Sequence, residues 1–436
     1  MSNRKRSSKK VNEVEVLQVI SWMDGARWED EKSHQSYLDD VIKKLGSSKK
    51  LLVHWLIYIA DRQTQVRGTD FWKRGCRVYS ELVRDLQKTR YSNFKEFKEK
   101  FLDDYFFDEY LSDKKDKKHK KIVQKFHVKD WNKDEKQLNT KEKNEFTPRL
   151  PLDRYLTLRT IYFLNRYHNN DFLGYLKKNY KSSESESGYD LDRIAYLLYL
   201  LSYWNKKEKL PTNVKKLDDL APIFDRQVEE IKQKSENIDN DDFERWKGNE
   251  EEYYFKRVWA ALRDYIKHPV FKDDFSKAIF GRKWESPPID LLRQLQLPGD
   301  LWNERSPLPR GICRELGLIF ENTSKKGTPL KSIKKSPKLA REIFDEIKNT
   351  NSNFYPEQFD VTFDFSPNMS CGKDNLRCKK EICPFGDGAL DVCSGKEGKP
   401  CTVLLITCGY NVKCKPRKCP IKVKKGKGFC VVTRPK

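Results

Sequence analysis

The sequence predicts a mainly α-helical protein with a C-terminal, cysteine-rich metal module that contains short strands. Apolar residues recur at helical spacing over most of the first 350 residues. Between residues 359 and 365 apolar and polar side chains alternate, as they do in a strand. Nine of the 11 cysteines then follow, between Cys371 and Cys430. These patterns divide the 436 residues into a disordered basic tail at 1–12, a helical core at 13–350 and a basic, cysteine-rich module at 351–436.

The first long predicted helix covers residues 51–66. It is apolar for three turns and becomes polar at Asp61, which indicates a buried helix whose C-terminal end emerges at a surface. His54 lies in the apolar part and is expected to be a core residue rather than a ligand. Cys76 and Cys313 are isolated from the other cysteines and are expected to be small core residues. Further helices are predicted at 71–86, 152–180, 191–204 and 251–267.

Two polar stretches interrupt the predicted helices, near residues 112–148 and 205–250. The first contains the basic run DKKDKKHKK from Asp113 to Lys121. Such compositions lack the apolar residues that sustain a core, so both stretches are predicted to be exposed insertions.

The charge balance favours a polyanionic partner. The chain has 88 Lys plus Arg against 65 Asp plus Glu, a net charge of +23. Nucleic acid is the first expectation, and a charge that serves only solubility is the alternative. No phosphate-binding loop or zinc-protease motif occurs, so no nucleotide cofactor is expected. No apolar run is long enough to span a bilayer, and the N-terminal residues lack a signal-peptide core, so we expect a soluble, cytoplasmic protein without a membrane partner.

The cysteine spacing indicates metal coordination, because a reducing cytosol disfavours disulfides. One quartet has six, four and nine intervening residues, the other has six, five and four, and Cys430 is left over. The tight C-x2-C pair of structural zinc sites is missing, and proline follows Cys383 and Cys419, as it often follows iron-sulfur ligands. A [4Fe-4S] cluster is therefore favoured, with zinc as the alternative. The candidate ligands are Cys371, Cys378, Cys383, Cys393, Cys401, Cys408, Cys414 and Cys419.

The C-terminal basic residues are candidates for phosphate contacts. No acidic residue follows Asp391 except Glu397, and from Cys414 to the last residue there is none. Such a cluster can neutralise several phosphates and would make binding depend steeply on salt. The alternative is a solvated, flexible tail. The candidates are Lys415, Arg417, Lys418, Lys422, Lys424, Lys425 and Lys427.

A third candidate is a turn within residues 289–318. Helical patterns flank Leu297, Pro298 and Gly299, and backbone N–H groups at such a turn can hold a phosphate, although Pro-Gly also marks ordinary turns. Arg310, in the same segment, is a further candidate for contact with DNA.

Together the 51–66 helix LLVHWLIYIADRQTQV, the Leu-Pro-Gly turn and the C-terminal cysteine loop resemble the helix-hairpin-helix DNA glycosylases that carry an iron-sulfur cluster loop. The resemblance covers about a third of the chain, in separate pieces. It implies that Gln63, with Arg62 beside it, forms a wedge near the target base. It also implies that Leu297 and Gly299 form the hairpin, and that Cys371, Cys378, Cys383 and Cys393 hold the cluster.

The sequence also departs from that family. Asp300 and Leu301 follow the turn, and the turn lies about 230 residues after the wedge helix. The catalytic Asp expected beyond the hairpin is missing. Glu321 is the carboxylate nearest to the expected sequence position. Asp360 and Asp364 are the other candidates for the catalytic residue.

The resemblance implies a DNA glycosylase that flips a damaged or modified base and cleaves its N-glycosidic bond. A carboxylate would stabilise the oxocarbenium ion and activate water. The missing Asp favours the alternative, a non-enzymatic protein that binds DNA or RNA through a metal-stapled basic module. The target base, and a role in repair or in defence, stay open at this level.

Overall fold

The structure is a computed structural model. It describes residues 40–60, 68–86, 90–102, 151–180, 189–203, 221–297 and 354–359, together with Leu38, Arg341, Phe344, Asp345 and two short strands near the C-terminus. The chain divides into two compact units: residues 33–291 form one, and residues 1–32 together with 292–436 form the other. The sequence pattern alone places the start of the C-terminal module later, at residue 351.

The described part of the first unit is helical, as predicted. A π-helical segment, Lys98–Leu102, follows the α-helix Phe94–Phe97. The α-helices are α1 (Asp40–Lys43), α2 (Ser47–Ala60), α3 (Gly68–Asp85), α4 (Phe94–Phe97), α5 (Pro151–His168), α6 (Phe172–Asn179), α7 (Leu191–Ser202), α8 (Ala221–Glu236), α9 (Asn240–Gly248), α10 (Glu250–Tyr253), α11 (Lys256–Lys267), α12 (Lys272–Phe280) and α13 (Ile289–Leu292). None of the helices in the described ranges is long and apolar enough to cross a membrane.

Helix α2 is the centre of this unit. It packs against α1, α3, α5, α6, α11 and α12. Every residue from Leu51 to Ala60 is buried, because neighbours surround the helix on all sides and no polar face is needed. This confirms the predicted buried helix over 51–60, whereas residues 61–66 of that prediction lie outside the described residues. Cys76, on α3, is fully buried, which confirms its assignment to the core.

The single helix predicted over 152–180 is in fact two, α5 and α6. Asn169 and Asn170 have φ of 57° and 61°, left-handed values that end a right-handed helix and that asparagine tolerates well. Asp171 then caps α6, because its carboxylate accepts a hydrogen bond from the Gly174 amide at 2.9 Å. The predicted helix over 251–267 is also interrupted, by Tyr254 and Phe255 between α10 and α11, and here Phe255 has an extended backbone with φ of −63° and ψ of 115°.

Helix α7 is buried from Ile194 to Ser202, and Arg159 of α5 binds its C-terminal end. The Arg159 guanidinium donates to the carbonyls of Leu201 at 2.9 Å and Tyr203 at 2.7 Å. It also donates to the Gln227 side chain on α8, at 2.9 Å. The last carbonyls of a helix have no partner within the helix, so this buried cation satisfies them and joins α5, α7 and α8.

The stretch near 205–250, expected to be an exposed insertion, contains α8 and α9, which pack in the core. The ring of Phe224 stacks on Phe94, with centroids 4.2 Å apart. Val228, Ile231 and Trp246 are also buried. The expectation was wrong for residues 221–248 because the many charged residues occupy the outer faces of two amphipathic helices. The insertion expected near 112–148 lies outside the described residues.

The described part of the second unit is small. Leu295 and Leu297 are fully buried, Phe344 contacts Phe354, and Pro356–Phe359 forms a 3-10 turn. Strands β1 (Lys413–Cys414) and β2 (Cys430–Val431) pair antiparallel, with Lys413 opposite Val431 and Cys414 opposite Cys430.

Candidate functional site

A buried cluster of polar side chains lies at the junction of α2 and α11. Helix α2 supplies His54 and Tyr58, which are one turn apart and therefore on the same face. Helix α11 supplies Arg263 and Asp264. All four side chains are shielded from water.

The Asp264 carboxylate is the centre of the cluster. Its Oδ2 accepts a hydrogen bond from the Tyr58 hydroxyl at 2.6 Å and lies 3.2 Å from Nε2 of His54. Its Oδ1 accepts a hydrogen bond from Nε of Arg263 at 3.0 Å. Both carboxylate oxygens are therefore satisfied, as a buried charge requires.

Aromatic rings enclose the imidazole of His54. The ring of Phe271 is 4.2 Å away between centroids, Tyr58 is 4.9 Å away, Tyr265 5.2 Å and Trp72 5.3 Å. The Tyr265 hydroxyl donates to the Leu51 carbonyl of α2 at 2.9 Å, so the same two helices are joined a second time.

The surroundings keep the cluster in one protonation state at neutral pH. Burial would raise the pKa of Asp264, but the charge of Arg263 and the hydrogen bond with His54 lower it, and the result is well below the usual value. Burial lowers the pKa of His54 despite the nearby carboxylate. Asp264 is therefore ionised, and His54 is neutral with its proton on Nε2.

This arrangement leaves the other imidazole nitrogen of His54, Nδ1, as an acceptor with no hydrogen-bond partner in the described ranges. A histidine oriented by a carboxylate is the pair that general-base catalysis uses. Here both side chains are almost completely buried, with 0% and 4% of their surface exposed, so a substrate has no direct access. In this state the cluster has a structural role. It fixes the C-terminal half of α2 to α11.

His268 belongs to the same region, at the C-terminal end of α11. Its amide donates to the Asp264 carbonyl at 2.9 Å, and its Nδ1 accepts from the Val270 amide at 3.1 Å. Burial lowers its pKa to about 4. Elsewhere in the unit, burial and the nearby Lys178 lower the pKa of His168 to about 4 as well.

Because of these histidines, we expect acid to destabilise the helical unit. In the unfolded chain histidine binds a proton near pH 6.5, whereas His168 and His268 in the folded chain bind one only near pH 4. Between these values the unfolded state holds more protons, so the free energy of unfolding falls as the pH is lowered through this window. The loss is up to about 3 kcal/mol for each histidine. Urea unfolding followed by circular dichroism at pH 7.5, 6, 5 and 4.5 measures it.

A His168→Phe variant serves as the matched control for this pH dependence. The ring of His168 packs against Phe163 and Tyr175, so phenylalanine keeps the packing and removes the proton site. Its stability should fall less steeply below pH 6.5 than that of the unsubstituted protein. Equal slopes in the two proteins would contradict the assignment.

Most residues that the sequence singled out for function lie outside the described residues. Leu297 is described and is fully buried, so its side chain belongs to a packed interior. Cys414 is described as a member of β1. Among the described residues, no group of three or more His, Cys, Asp or Glu is arranged to hold a metal ion. Outside the described residues lie Arg62, Gln63, Gly299, Arg310, Glu321, Asp360, Asp364, Cys371, Cys378, Cys383, Cys393, Cys401, Cys408, Cys419 and the seven basic residues from Lys415 to Lys427.

The sequence patterns did not reveal the cluster around Asp264, although they placed His54 correctly in the core. A usable signal was present: Arg263 and Asp264 lie between Leu262 and Ile266, in a helix defined by its apolar residues. A charged pair within an apolar pattern indicates a buried partner elsewhere in the chain.

A scan against protein-family models gave no match to this chain. Searches of curated proteins and of solved structures also gave no match.

Proposed function

We propose that the protein binds nucleic acid through the basic segment 415–429 of its second unit. One observation carries the proposal: seven Lys or Arg and no acidic residue lie between two strands that pair with each other. The pairing of β1 with β2 brings the two ends of this segment together. A cluster of cations whose ends are tied can meet several phosphates at once and loses less chain entropy on binding.

The distribution of charge over the two units supports the same proposal. Residues 1–32 together with 292–436, the second unit, carry 35 Lys plus Arg against 21 Asp plus Glu, a net charge of +14. Residues 33–291 carry 53 against 44, a net charge of +9 in a longer stretch. Many cations of the helical unit also pair with acids, such as Lys50 with Asp274 at 2.6 Å. The charge that is left for a polyanion is therefore denser in the second unit.

A triple substitution of Lys422, Lys424 and Lys425 by alanine tests the proposal. Affinity for every nucleic-acid sequence should fall, and the slope of log affinity against log salt should become shallower by roughly one unit for each phosphate that the variant no longer neutralises. Fluorescence anisotropy with labelled duplex and single-stranded DNA and RNA, over a series of salt concentrations, measures both quantities.

Substitution of Lys95, Lys178 and Lys283 by alanine gives a matched control. These lysines lie on the helical unit with 72%, 62% and 62% of their side-chain surface exposed, and their removal lowers the net charge by the same three units. The control should keep the salt slope of the unsubstituted protein. If both triple variants show the same reduced salt slope, net charge alone drives binding, and the basic segment does not contact nucleic acid more than the rest of the surface does.

A more specific form of the proposal is that the bound nucleic acid is DNA and that the protein excises a damaged or modified base. Its support is the order of the wedge helix, the Leu-Pro-Gly turn and the cysteine loop, and a carboxylate such as Glu321 or Asp360 would act in the reaction. The [4Fe-4S] cluster, or zinc, would be held by the cysteine quartets. Incubation of the purified protein with duplexes that contain altered bases, followed by hot alkali, reveals excision as strand breaks. Intact strands with every altered base would leave the non-enzymatic binding function.

A further inference from the structure

The register of the C-terminal strands shows which residue lies opposite Cys430. The spacing of the cysteines assigned Cys430 to neither quartet. In the antiparallel pairing of β1 with β2, Cys430 lies directly opposite Cys414. Fifteen residues separate them in the sequence, so the two cysteines do not form a short C-x2-4-C knuckle with each other.

Residues opposite each other in an antiparallel pair share one face of the sheet, with Cβ atoms about 4.5–5.5 Å apart. Two thiolates on one tetrahedral ion, each about 2.3 Å from the metal, have sulfur atoms close to 4 Å apart. The backbone register is therefore compatible with ligation of one metal centre by both residues, without any shift of the strands.

We propose that Cys414 and Cys430 are two ligands of the same tetrahedral, thiolate-bound metal ion, such as zinc, and that this ion holds together the two residues that precede and follow the basic segment 415–429. The inference deepens the proposed function, on which it rests for the consequence for nucleic-acid binding, but ligation can be measured without nucleic acid.

The local charge favours a metal centre over a disulfide between the same two residues. Lys413 and Lys415 flank Cys414, so positive charge lies on both sides of this cysteine in the sequence. Seven cations within 15 residues also repel each other. A centre with several thiolates carries negative charge and offsets this repulsion, whereas a disulfide is neutral.

Metal content separates the alternatives. Zinc, iron and acid-labile sulfide would be measured per chain in the full-length protein and in Cys414→Ser, Cys430→Ser and Cys430→His. The Cys430→Ser protein should lose the same metal centre as Cys414→Ser, or bind it at least about tenfold more weakly against a chelator. Histidine is also a metal ligand, so Cys430→His should retain more of the metal than Cys430→Ser does.

Cys313→Ser serves as the control, because Cys313 stands apart from the cysteine quartets, and it should keep the full metal content. Far-UV circular dichroism checks that the helical unit stays folded in each variant. Full metal content in Cys430→Ser, no metal in the unsubstituted protein, or a Cys414–Cys430 disulfide found by mass spectrometry under non-reducing conditions would each overturn the inference. If metal is lost as expected but the unsubstituted protein binds no nucleic acid, the proposed function fails while the ligand assignment stands.

Discussion

Substitution of Asp264 by alanine is expected to destabilise the helical unit by about 3–5 kcal/mol, the usual effect of removing one partner from a buried ion pair. Three donors converge on the carboxylate, from His54, Tyr58 and Arg263. Without it the guanidinium of Arg263 keeps its charge in a site where only 10% of its side-chain surface is exposed. Urea unfolding at pH 7.5, followed by circular dichroism at 222 nm, measures the change in the free energy of unfolding.

Asp40→Ala provides the control for this prediction. Asp40 pairs with Lys43 at 2.9 Å, but 82% of its side-chain surface is exposed. Exposed pairs contribute at most about 1 kcal/mol, so this variant should unfold almost as the unsubstituted protein does. If the two aspartate variants lose similar stability, the cluster around Asp264 does not join α2 to α11.

Substitution of Arg159 by methionine is expected to have the second largest effect, about 2–4 kcal/mol. Methionine fills much of the same volume but removes the donors to Gln227 and to the carbonyls of Leu201 and Tyr203. Buried acceptors that lose a charged donor cost about 1–3 kcal/mol each when nothing replaces it. The same urea titration measures the loss.

Arg159→Lys is the matched control, because lysine keeps the positive charge without the planar set of donors. It should recover only part of the stability, since a single ammonium cannot reach all of these acceptors in the same directions. Full recovery would mean that the charge at the end of α7, rather than the fork of hydrogen bonds, stabilises the junction.

The helices were predictable where one pattern dominated. The uninterrupted apolar run of α2 predicted a helix enclosed on all sides, and six neighbouring helices enclose it. The prediction failed at Asn169 and Asn170, because apolar residues continue on both sides of the break and hide it. It failed again in α8, where Phe224, Val228 and Ile231 recur every three or four residues among charges that made the segment look like an insertion.

The polar cluster could not be assembled from the sequence, because its halves are 210 residues apart in the chain. Local patterns identify a buried charge but not its partner. Only the packing of α2 against α11 brings His54 and Tyr58 to Asp264. The metal and nucleic-acid assignments stay predictions, since nearly all of their residues lie outside the described ranges.

A lysine footprint shows whether segment 415–429 contacts nucleic acid. The protein would be acetylated briefly with and without a saturating DNA duplex at low salt, and the modification of each lysine would be quantified by mass spectrometry. We expect strong protection of Lys422, Lys424 and Lys425 and unchanged modification of Lys95, Lys178 and Lys283. Protection confined to the lysines of the helical unit, or protection of none, would contradict it.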